Sequence, residues 1–301
     1  MAQDVMKIFY YLIAHKNPQQ LKLLVDSLKN NKDIICIHID RRVDINEFKN
    51  VIPETENVYF LKQRENVYWA GWSQVKTTII GLKKFVDSNC DYFVPLSGQD
   101  FPIKKLSDFR FFLEKNRNKN FITFSNCERD WQGALVRVKV YYFIDFFEKI
   151  RSKLKIIARV LHVIERVLNK SQLFLNVNRK LPSGYVLYGG SSWFNINHES
   201  AKIVLKEIEN NKQLVNHFKY TVCSDEHFFY TIISKTKIVD TVIQNNLRYI
   251  NFLPGKSNPE IISSMEVLSL PKNDFYFARK FDYELDSFSL DELYNFINES
   301  K

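Results

Sequence analysis

Lys7 to His15 is a continuous apolar run, the length of a strand buried on both faces and far short of the ~20 residues a helix needs to cross a bilayer. From Gln19 to Lys29 the period changes, and Leu21, Leu24, Val25 and Leu28 recur at the spacing of a helix with one buried stripe. Asp33 to Asp40 is apolar again. Strand, helix and strand in so short a stretch predict a βαβ unit and therefore a parallel sheet. The alternation continues with a strand at Val58 to Lys62, a helix at Trp72 to Phe85, a strand at Tyr92 to Leu96, a helix at Leu106 to Lys115 opened by a cap at Ser107, and a strand at Phe121 to Phe124. Such a repeat predicts a doubly wound α/β layer, which binds ligands beyond the carboxyl ends of its strands. Those ends are His15, Asp40 and Ser97-Gly98-Gln99-Asp100.

The stretch Ile150 to Leu168 follows another rule. Ile150, Leu154, Ile157, Leu161, Ile164 and Leu168 repeat at alternating steps of four and three, and Ile156, Val160, Val163 and Val167 form an adjoining row, so one helix with a broad apolar face is predicted. Its other face carries Lys149, Arg151, Lys153, Lys155, Arg159, Arg166 and Lys170 against Glu148 and Glu165. Three readings stay open: a surface helix packed on the core, a helix lying in a membrane interface, and a seam between two copies. Beyond it come the turn-rich Leu181-Pro182-Ser183-Gly184, a mixed segment from Tyr185 to Ile196, a helix from about Glu199, another around Asp225 to Ile233, and a polar helix from Leu290 to Ile297. With no internal repeat, the chain (1–301) reads as one domain with a basic amphipathic helical insertion at about 147–170.

Composition narrows the class. Hydrophobic residues are 45% and charged residues 26% of 301, which supports a packed core, and eight Gly with eight Pro exclude collagen-like and linker chains. The 25 Phe and 15 Tyr predict a thick core with rings to spare for stacking on a ligand. Cys36, Cys90, Cys127 and Cys223 have no CxxC spacing, so neither a zinc site nor a disulfide framework is read, and a reducing cytoplasm fits. No cleavable leader is read either. The formal charge of +9 predicts attraction to anionic partners without choosing among nucleic acid, phospholipid and phosphorylated substrates.

The motifs of dinucleotide, P-loop, zinc-protease and serine-hydrolase sites (GxGxxG, GxxxxGKS/T, HExxH, GxSxG) are missing, as is any Asp-x-Asp. Ile37-His38-Ile39-Asp40 offers one carboxylate at a strand end, able to hold a ribose or base but a poor cage for a divalent ion. Three clusters stand out: Tyr68 to Ser73, Ser97 to Pro102 and Gly189 to Phe194. Each sets small residues beside a large ring, which lets a backbone approach a ligand while the ring stacks on a base or sugar. For any one of them alone, an aromatic core residue beside a tight turn is the plainer account.

Taken in order, Tyr11-Leu-Ile-Ala-His15, Ile37-His-Ile-Asp40, Trp69-Ala-Gly-Trp72, Leu96-Ser-Gly-Gln-Asp-Phe-Pro102, Gly190-Ser-Ser-Trp-Phe194, Ser224-Asp-Glu226 and Ala278-Arg-Lys280 form an ordered set. The set resembles the core-2/I-branching β-1,6-N-acetylglucosaminyltransferases and the related peptide O-xylosyltransferases, glycosyltransferase family 14. The likeness covers most of the chain and is similar to a compact bacterial version, without the membrane anchor and disulfide-rich stem of the animal Golgi enzymes. It implies a metal-independent variant of the GT-A fold, a Rossmann-type mixed sheet flanked by helices, that moves a sugar from a UDP donor with inversion; neither cofactor nor metal is expected.

The resemblance also implies roles. Glu226 falls on the catalytic carboxylate, and a Ser-Asp-Glu helix start suits an acid stabilised by the helix dipole, with simple capping as the plainer role. Lys280 matches a phosphate-binding lysine and Arg279 lies beside it, so cations would do a metal's electrostatic work at the diphosphate. The animal branch's upstream arginine has no counterpart between Pro259 and Leu268, which leaves Arg248 and Lys256 as candidates. Asp40 falls on the residue that holds uridine, and Trp69 on an aromatic near it. For the acceptor, Arg129 matches an arginine, Tyr249 replaces a tryptophan and Trp193 lines the cleft; an acceptor-binding glutamate is replaced near Thr123, which implies a different acceptor.

The expected function is transfer of N-acetylglucosamine from UDP-GlcNAc to a hydroxyl of a bacterial surface glycan (capsule, lipopolysaccharide or exopolysaccharide), free or lipid-linked. Xylose or another hexose is the alternative donor sugar. A glycan-binding module, which would keep the rings without needing Glu226, is the non-enzymatic alternative. Nucleic acid is not an expected partner, because the basic residues alternate with apolar ones in one helix and no RNA or DNA module is recognisable. The cytoplasm is the expected location, with an anionic membrane surface as a partner if the 150–168 helix is interfacial.

Overall fold

In the computed structural model, which describes residues 6–298 apart from 254, 256, 257, 268 and 271–273, the apolar runs become strands and the periodic ones helices. The first half runs β1 (Ile8–Ala14), α1 (Pro18–Leu28), β2 (Ile34–Ile39), α2 (Asn46–Lys49), β3 (Val58–Phe60), α3 (Trp72–Val86), β4 (Tyr92–Ser97), β5 (Asp100–Pro102), α4 (Leu106–Lys115) and β6 (Asn120–Asn126). Short helices α5 (Cys127–Asp130) and α6 (Leu135–Lys139) lead to α7 (Ile144–Lys153) and α8 (Ala158–Phe174). Then come β7 (Tyr188–Asn197), α9 (His198–Asn210), α10 (Lys212–Phe218), α11 (Phe228–Ile233), β8 (Val242–Ile243), β9 (Arg248–Ile250), α12 (Ser264–Val267), β10 (Phe277–Arg279) and α13 (Ser287–Asn298). Lys256, one of the two candidates for a second diphosphate cation, lies outside the described residues.

The main sheet has the order β3-β2-β1-β4-β7-β6-β8. β1 pairs in parallel with β2 and β4, whereas β7 runs antiparallel to β4 and β6. This is the expected mixed α/β architecture, consistent with a GT-A-like fold. Alternation explains why β1 is apolar at every position: Ile8, Tyr10 and Leu12 enter one core layer with α1 and α4, while Phe9 and Tyr11 enter the other with α3 and α11. The strand ends are stitched together, since Asp40 N–H donates to Ala14 C=O and Gly98 N–H to Ile13 C=O, each at 2.9 Å.

A second sheet, β5-β10-β9, was not visible in the sequence pattern. Its strands are three residues each and come from widely separated segments, too short for any period to register. β10 pairs antiparallel with β5 and parallel with β9, which brings Asp100 opposite Arg279 and Arg248 opposite Phe277.

Several local expectations change. The predicted helix at 150–168 is two helices: Leu154 leaves the helical region (φ −120°, ψ 70°), a 3-10 turn spans Lys155–Ile157, and α8 starts afresh. Arg151, read as part of a solvated face, is buried between Glu148 and Glu165 at 2.6 and 2.7 Å. α4 is preceded by Lys105 and has no side-chain cap, so Ser107 lies inside its first turn. Ser224–Glu226 is one 3-10 turn, separated by a non-helical His227 from the six-residue α11. The Ser224 hydroxyl caps nothing and is buried without a partner. A helix dipole therefore does not explain the placement of Glu226, since the macrodipole acts only within the end turn of a longer helix.

Candidate active site

Two groups of charged residues gather beyond the carboxyl ends of β1, β2 and β4. In the first, Asp40 is buried and its oxygens are fully engaged. Oδ1 accepts from Arg42 N–H (2.9 Å) and Nε (3.0 Å), and Oδ2 from Arg42 Nη2 (2.7 Å) and Val67 N–H (3.2 Å). Burial alone would raise this carboxyl, but the Arg42 guanidinium and the backbone donors outweigh it and hold it below its ordinary value. Arg42 also donates to Val67 C=O (2.6 Å) and lies 4.8 Å over the Tyr68 ring, so Asp40 organises the loop that presents Trp69, 70% exposed. His15 lies in the same neighbourhood; burial lowers its pKa, and Lys16, Arg42 and Lys280 push the same way against Asp40.

Lys280 has no ion pair among the described residues. Its pKa is lowered first by burial and then by Lys16 and Arg279, the signature of a cation crowded by others. Lys16 is tied to Asp282 at 2.6 Å, and Asn17 donates to the same carboxylate at 2.9 Å. Such a concentration of positive charge, half-buried at the ends of parallel strands, suits an anion of more than one charge.

Asp100 joins this cluster to the rest of the site. It is wholly buried, accepts from Ser97 N–H (3.1 Å) and hydroxyl (2.9 Å), and pairs with Arg248 Nε at 3.1 Å and Arg279 Nε at 3.5 Å. Burial pushes the Arg248 guanidinium down to about 10 against the opposing pull of Asp100. Both guanidinium groups lie over the Trp193 ring, at 4.7 and 4.8 Å. Arg248 also donates to Pro95 C=O (2.7 Å), so of the cations read from sequence it is structural, whereas Arg279 and Lys280 are half-buried.

The second group is built on Glu226. Next to Trp193, the Ser192 hydroxyl donates to Asp225 Oδ2 at 2.7 Å, which fixes the turn that carries Glu226. Burial pushes the Asp225 carboxyl up to about 6, helped by the Glu226 charge and opposed by Ser192. Arg137 Nη1 pairs with Glu226 Oε2 at 2.5 Å, stacks 4.7 Å from the Trp131 ring and faces His227 Nε2 at 3.5 Å. His227 is buried and lowered to about 4, first by burial and then by Arg137, so it is neutral; Nε2 accepts, and Nδ1–H faces Tyr188 C=O at 3.3 Å. The Cys223 N–H donates to Ala70 C=O at 2.8 Å, which brings the Trp69 loop against the Glu226 turn. Both residues of that bond have left-handed backbones (φ 61° at Ala70, φ 50° at Cys223), a strain of about 1 kcal/mol or more each of the kind found at binding sites.

Two acceptor residues named from the sequence do not join either group. Arg129 is largely exposed and forked onto its neighbour Asp130. Tyr249 follows Arg248 on β9 and so faces the other side, where its ring meets Phe275 at 5.9 Å. A Cβ added to the glycines of the three clusters would meet protein atoms. A Cβ at Gly71 would lie 2.0 Å from Asp145 Oδ1, which accepts from Ser73, and one at Gly190 2.1 Å from the Thr123 carbonyl oxygen. Arg137 and Arg42 escaped sequence reasoning because a lone basic residue in a short helix or turn carries no local signal. Asp100 stood inside a quoted motif, but its charged partners, Arg248 and Arg279, are more than a hundred residues away. Among the described residues no group of three His, Cys, Asp or Glu side chains is placed to hold a metal ion.

The family model for the Core-2/I-Branching enzyme matches residues 8–269. The chain belongs to that family. It is 24% identical to Xylosyltransferase 2 of Rattus norvegicus over 304 residues, covering 92% of this chain and 32% of that protein. A xylosyltransferase of Ciona intestinalis is 25% identical over 93% of this chain and 33% of its own length, and Xylosyltransferase sqv-6 of Caenorhabditis elegans is 22% identical over 96% and 36%. The chain thus spans about a third of the length of these curated relatives.

Proposed function

We propose that this Core-2/I-branching family member is an inverting glycosyltransferase that moves a sugar from a UDP donor to a hydroxyl of a glycan. One observation carries the reading: the Arg279 guanidinium, beside Lys280, lies over Trp193, and the adjoining Ser192 holds Asp225 next to Glu226, so the cations and the carboxylate base are linked through one strand, β7. The UDP diphosphate lies against Lys280 and Arg279, with Trp69 and Asp40 at the nucleoside end. Glu226 takes the proton of the acceptor hydroxyl, the acceptor oxygen bonds to the anomeric carbon, and the bond from that carbon to UDP breaks with its electron pair going to the diphosphate. Arg137 occupies Oε2 of Glu226, and among the described residues Oε1 has no partner, so Oε1 is the proton acceptor. The two cations, rather than a metal, neutralise the leaving group.

N-acetylglucosamine is the donor sugar that the sequence resemblance implies, and the xylosyltransferase relatives favour xylose as the second reading. The acceptor is a bacterial surface glycan, free or on a lipid carrier. The test is UDP release from UDP-GlcNAc, UDP-xylose, UDP-glucose and UDP-galactose by the native chain and by Glu226→Gln. One donor is expected to be turned over, with a loss of about 10²–10⁴ in the variant and little change in UDP affinity. No release from any donor, or near-native turnover by folded Glu226→Gln, overturns the assignment.

A further inference from the structure

The α7–α8 hairpin is amphipathic in the wrong sense for a surface helix. Its inner face is held by polar clasps: Arg151 of α7 pairs with Glu165 of α8 at 2.7 Å, and Gln172 exchanges hydrogen bonds with both backbone groups of Tyr141 at 2.8 and 2.9 Å. Its apolar residues point outward. Val160, Val163, Ile164 and Val167 form a stripe along the solvent side of α8, each about half exposed, and Ile156 at the hairpin tip is 99% exposed. Neither hydrophobic core includes any residue of α8. The reading of a helix packed on the core by its apolar face is therefore not what the fold does.

Beside the stripe, Arg159, Arg166 and Lys170 recur at the same helical spacing and line one edge of it. Between that edge and the body lies a cleft of about 370 Å³ lined by Tyr142, His162, Glu165, Arg166, Asn169 and Lys170 among others, with Glu165 held by Arg151 and a buried Asn169 Oδ1 that has no partner. Residues 144–174 hold seven basic against three acidic side chains. All three acids are engaged, Asp145 on Ser73 and the two glutamates on Arg151, so the cations beside the stripe, Arg159, Arg166 and Lys170, have no ion pair among the described residues.

We infer that this hairpin docks the protein on an anionic bilayer, with α8 lying in the interface plane, the valine stripe among the acyl chains and the Arg159–Arg166–Lys170 edge at the lipid phosphates. No helix among the described residues is long and apolar enough to cross a membrane, so the hairpin lies on the bilayer rather than through it. Charge selects this occupant over a second copy, because two such faces brought together would set one cationic edge against another with no acid between them. The inference does not depend on the sugar chemistry and stands or falls separately from it.

The test is co-sedimentation with vesicles of phosphatidylcholine and phosphatidylglycerol mixed roughly 2:1 and with phosphatidylcholine alone. The native protein is expected to pellet with the anionic vesicles at low salt and to be released by raising salt past the point where the Debye length falls below about 8 Å. Each cation near the surface is worth about fivefold in binding, so Arg159→Glu with Arg166→Glu and Lys170→Glu together lower it by 100-fold or more. Val160→Ser with Val163→Ser and Val167→Ser weaken it at least tenfold without altering its salt dependence. All six positions are exposed, and an unchanged thermal melt shows that the variants are folded. Native protein left in the supernatant with anionic vesicles overturns the inference, as does binding to both vesicle types that ignores the charge reversal. A concentration-dependent dimer abolished by the valine changes also overturns it, in favour of a second copy.

Discussion

Asp100 offers the sharpest test of how the donor end is held together. Asp100→Asn keeps the shape of the side chain and a hydrogen bond to Ser97 but removes the negative charge between Arg248, whose side chain is 1% exposed, and Arg279, whose side chain is 16% exposed. Breaking a buried ion pair by removing one partner costs about 3–5 kcal/mol, because the remaining charge stays buried and uncompensated. The burden falls chiefly on Arg248, already lowered to about 10 by burial even with Asp100 beside it. At about 2–4 °C per kcal/mol for a chain of this size, the melting temperature should fall by ~10 °C. A second effect follows from position. Asp100 anchors Arg279, which adjoins Lys280, so UDP binding measured by calorimetry should weaken more than uridine binding. Adding Arg248→Met to Asp100→Asn removes the stranded charge and should recover a good part of the lost stability without restoring UDP affinity. A melt of Asp100→Asn within 2 °C of native would refute the reasoning, as would equal losses for UDP and uridine, since both follow only if the carboxylate balances the two arginines.

Lys280→Ala should weaken UDP binding at least tenfold while leaving uridine nearly unaffected, and excess chelator should leave turnover unchanged; loss of activity to chelator and its return with manganese would show that a metal has been missed. Asp225→Asn should stabilise the protein at pH 8. A carboxyl raised to about 6 in the folded state favours folding below its unfolded value near 4 and loses that contribution as pH rises through 6, so the gain, about 2–3 kcal/mol at most, should shrink toward pH 4 in thermal melts. Gly190→Ala should cost about 3 kcal/mol or more, because its Cβ would meet the Thr123 carbonyl at 2.1 Å across β6 and β7; a near-native melt would mean that the strands can part there.

How far the sequence could be read depends on the range of each interaction. Lys7 to His15 and Asp33 to Asp40 announced β1 and β2 because a strand buried on both faces is apolar at every position, a signal carried in a few consecutive residues. The small sheet had no such signal. Its three strands are joined only through pairing between residues 100–102, 248–250 and 277–279, and its key group, Asp100, shows its importance through partners 148 and 179 positions away. Glu226, Arg279 and Lys280 are named through family resemblance rather than pattern, since nothing local distinguishes a base from a capping acid. The glycine clusters are less specific. Glycine marks a close approach without saying to what, and Asp145 and the Thr123 carbonyl are among the groups that approach here.

The helix at 150–168 shows the same limit from the other side. The period read across the break at Leu154 holds only within α8, and there it fixes which residues share a face and not which way that face turns. Orientation was decided by residues the period ignores. Arg151 and Gln172 are polar, and by pairing with Glu165 and Tyr141 they claim the inner side of α8, which leaves the apolar stripe outward. Burying Arg151 with two glutamates also consumes the acids of the hairpin, so the outer face keeps its cations unbalanced. The formal charge of +9 is thus not spread evenly over the molecule: residues 144–174 alone hold an excess of four. A second concentration surrounds Lys280, where Lys16 and Arg279 lower its pKa. Two separate cationic sites predict two anionic partners with different salt responses. At the proposed donor site UDP would meet cations that are partly buried and poorly screened, whereas a bilayer would meet exposed ones that salt screens within about 10 Å, so salt that strips the protein from vesicles should leave UDP binding largely intact.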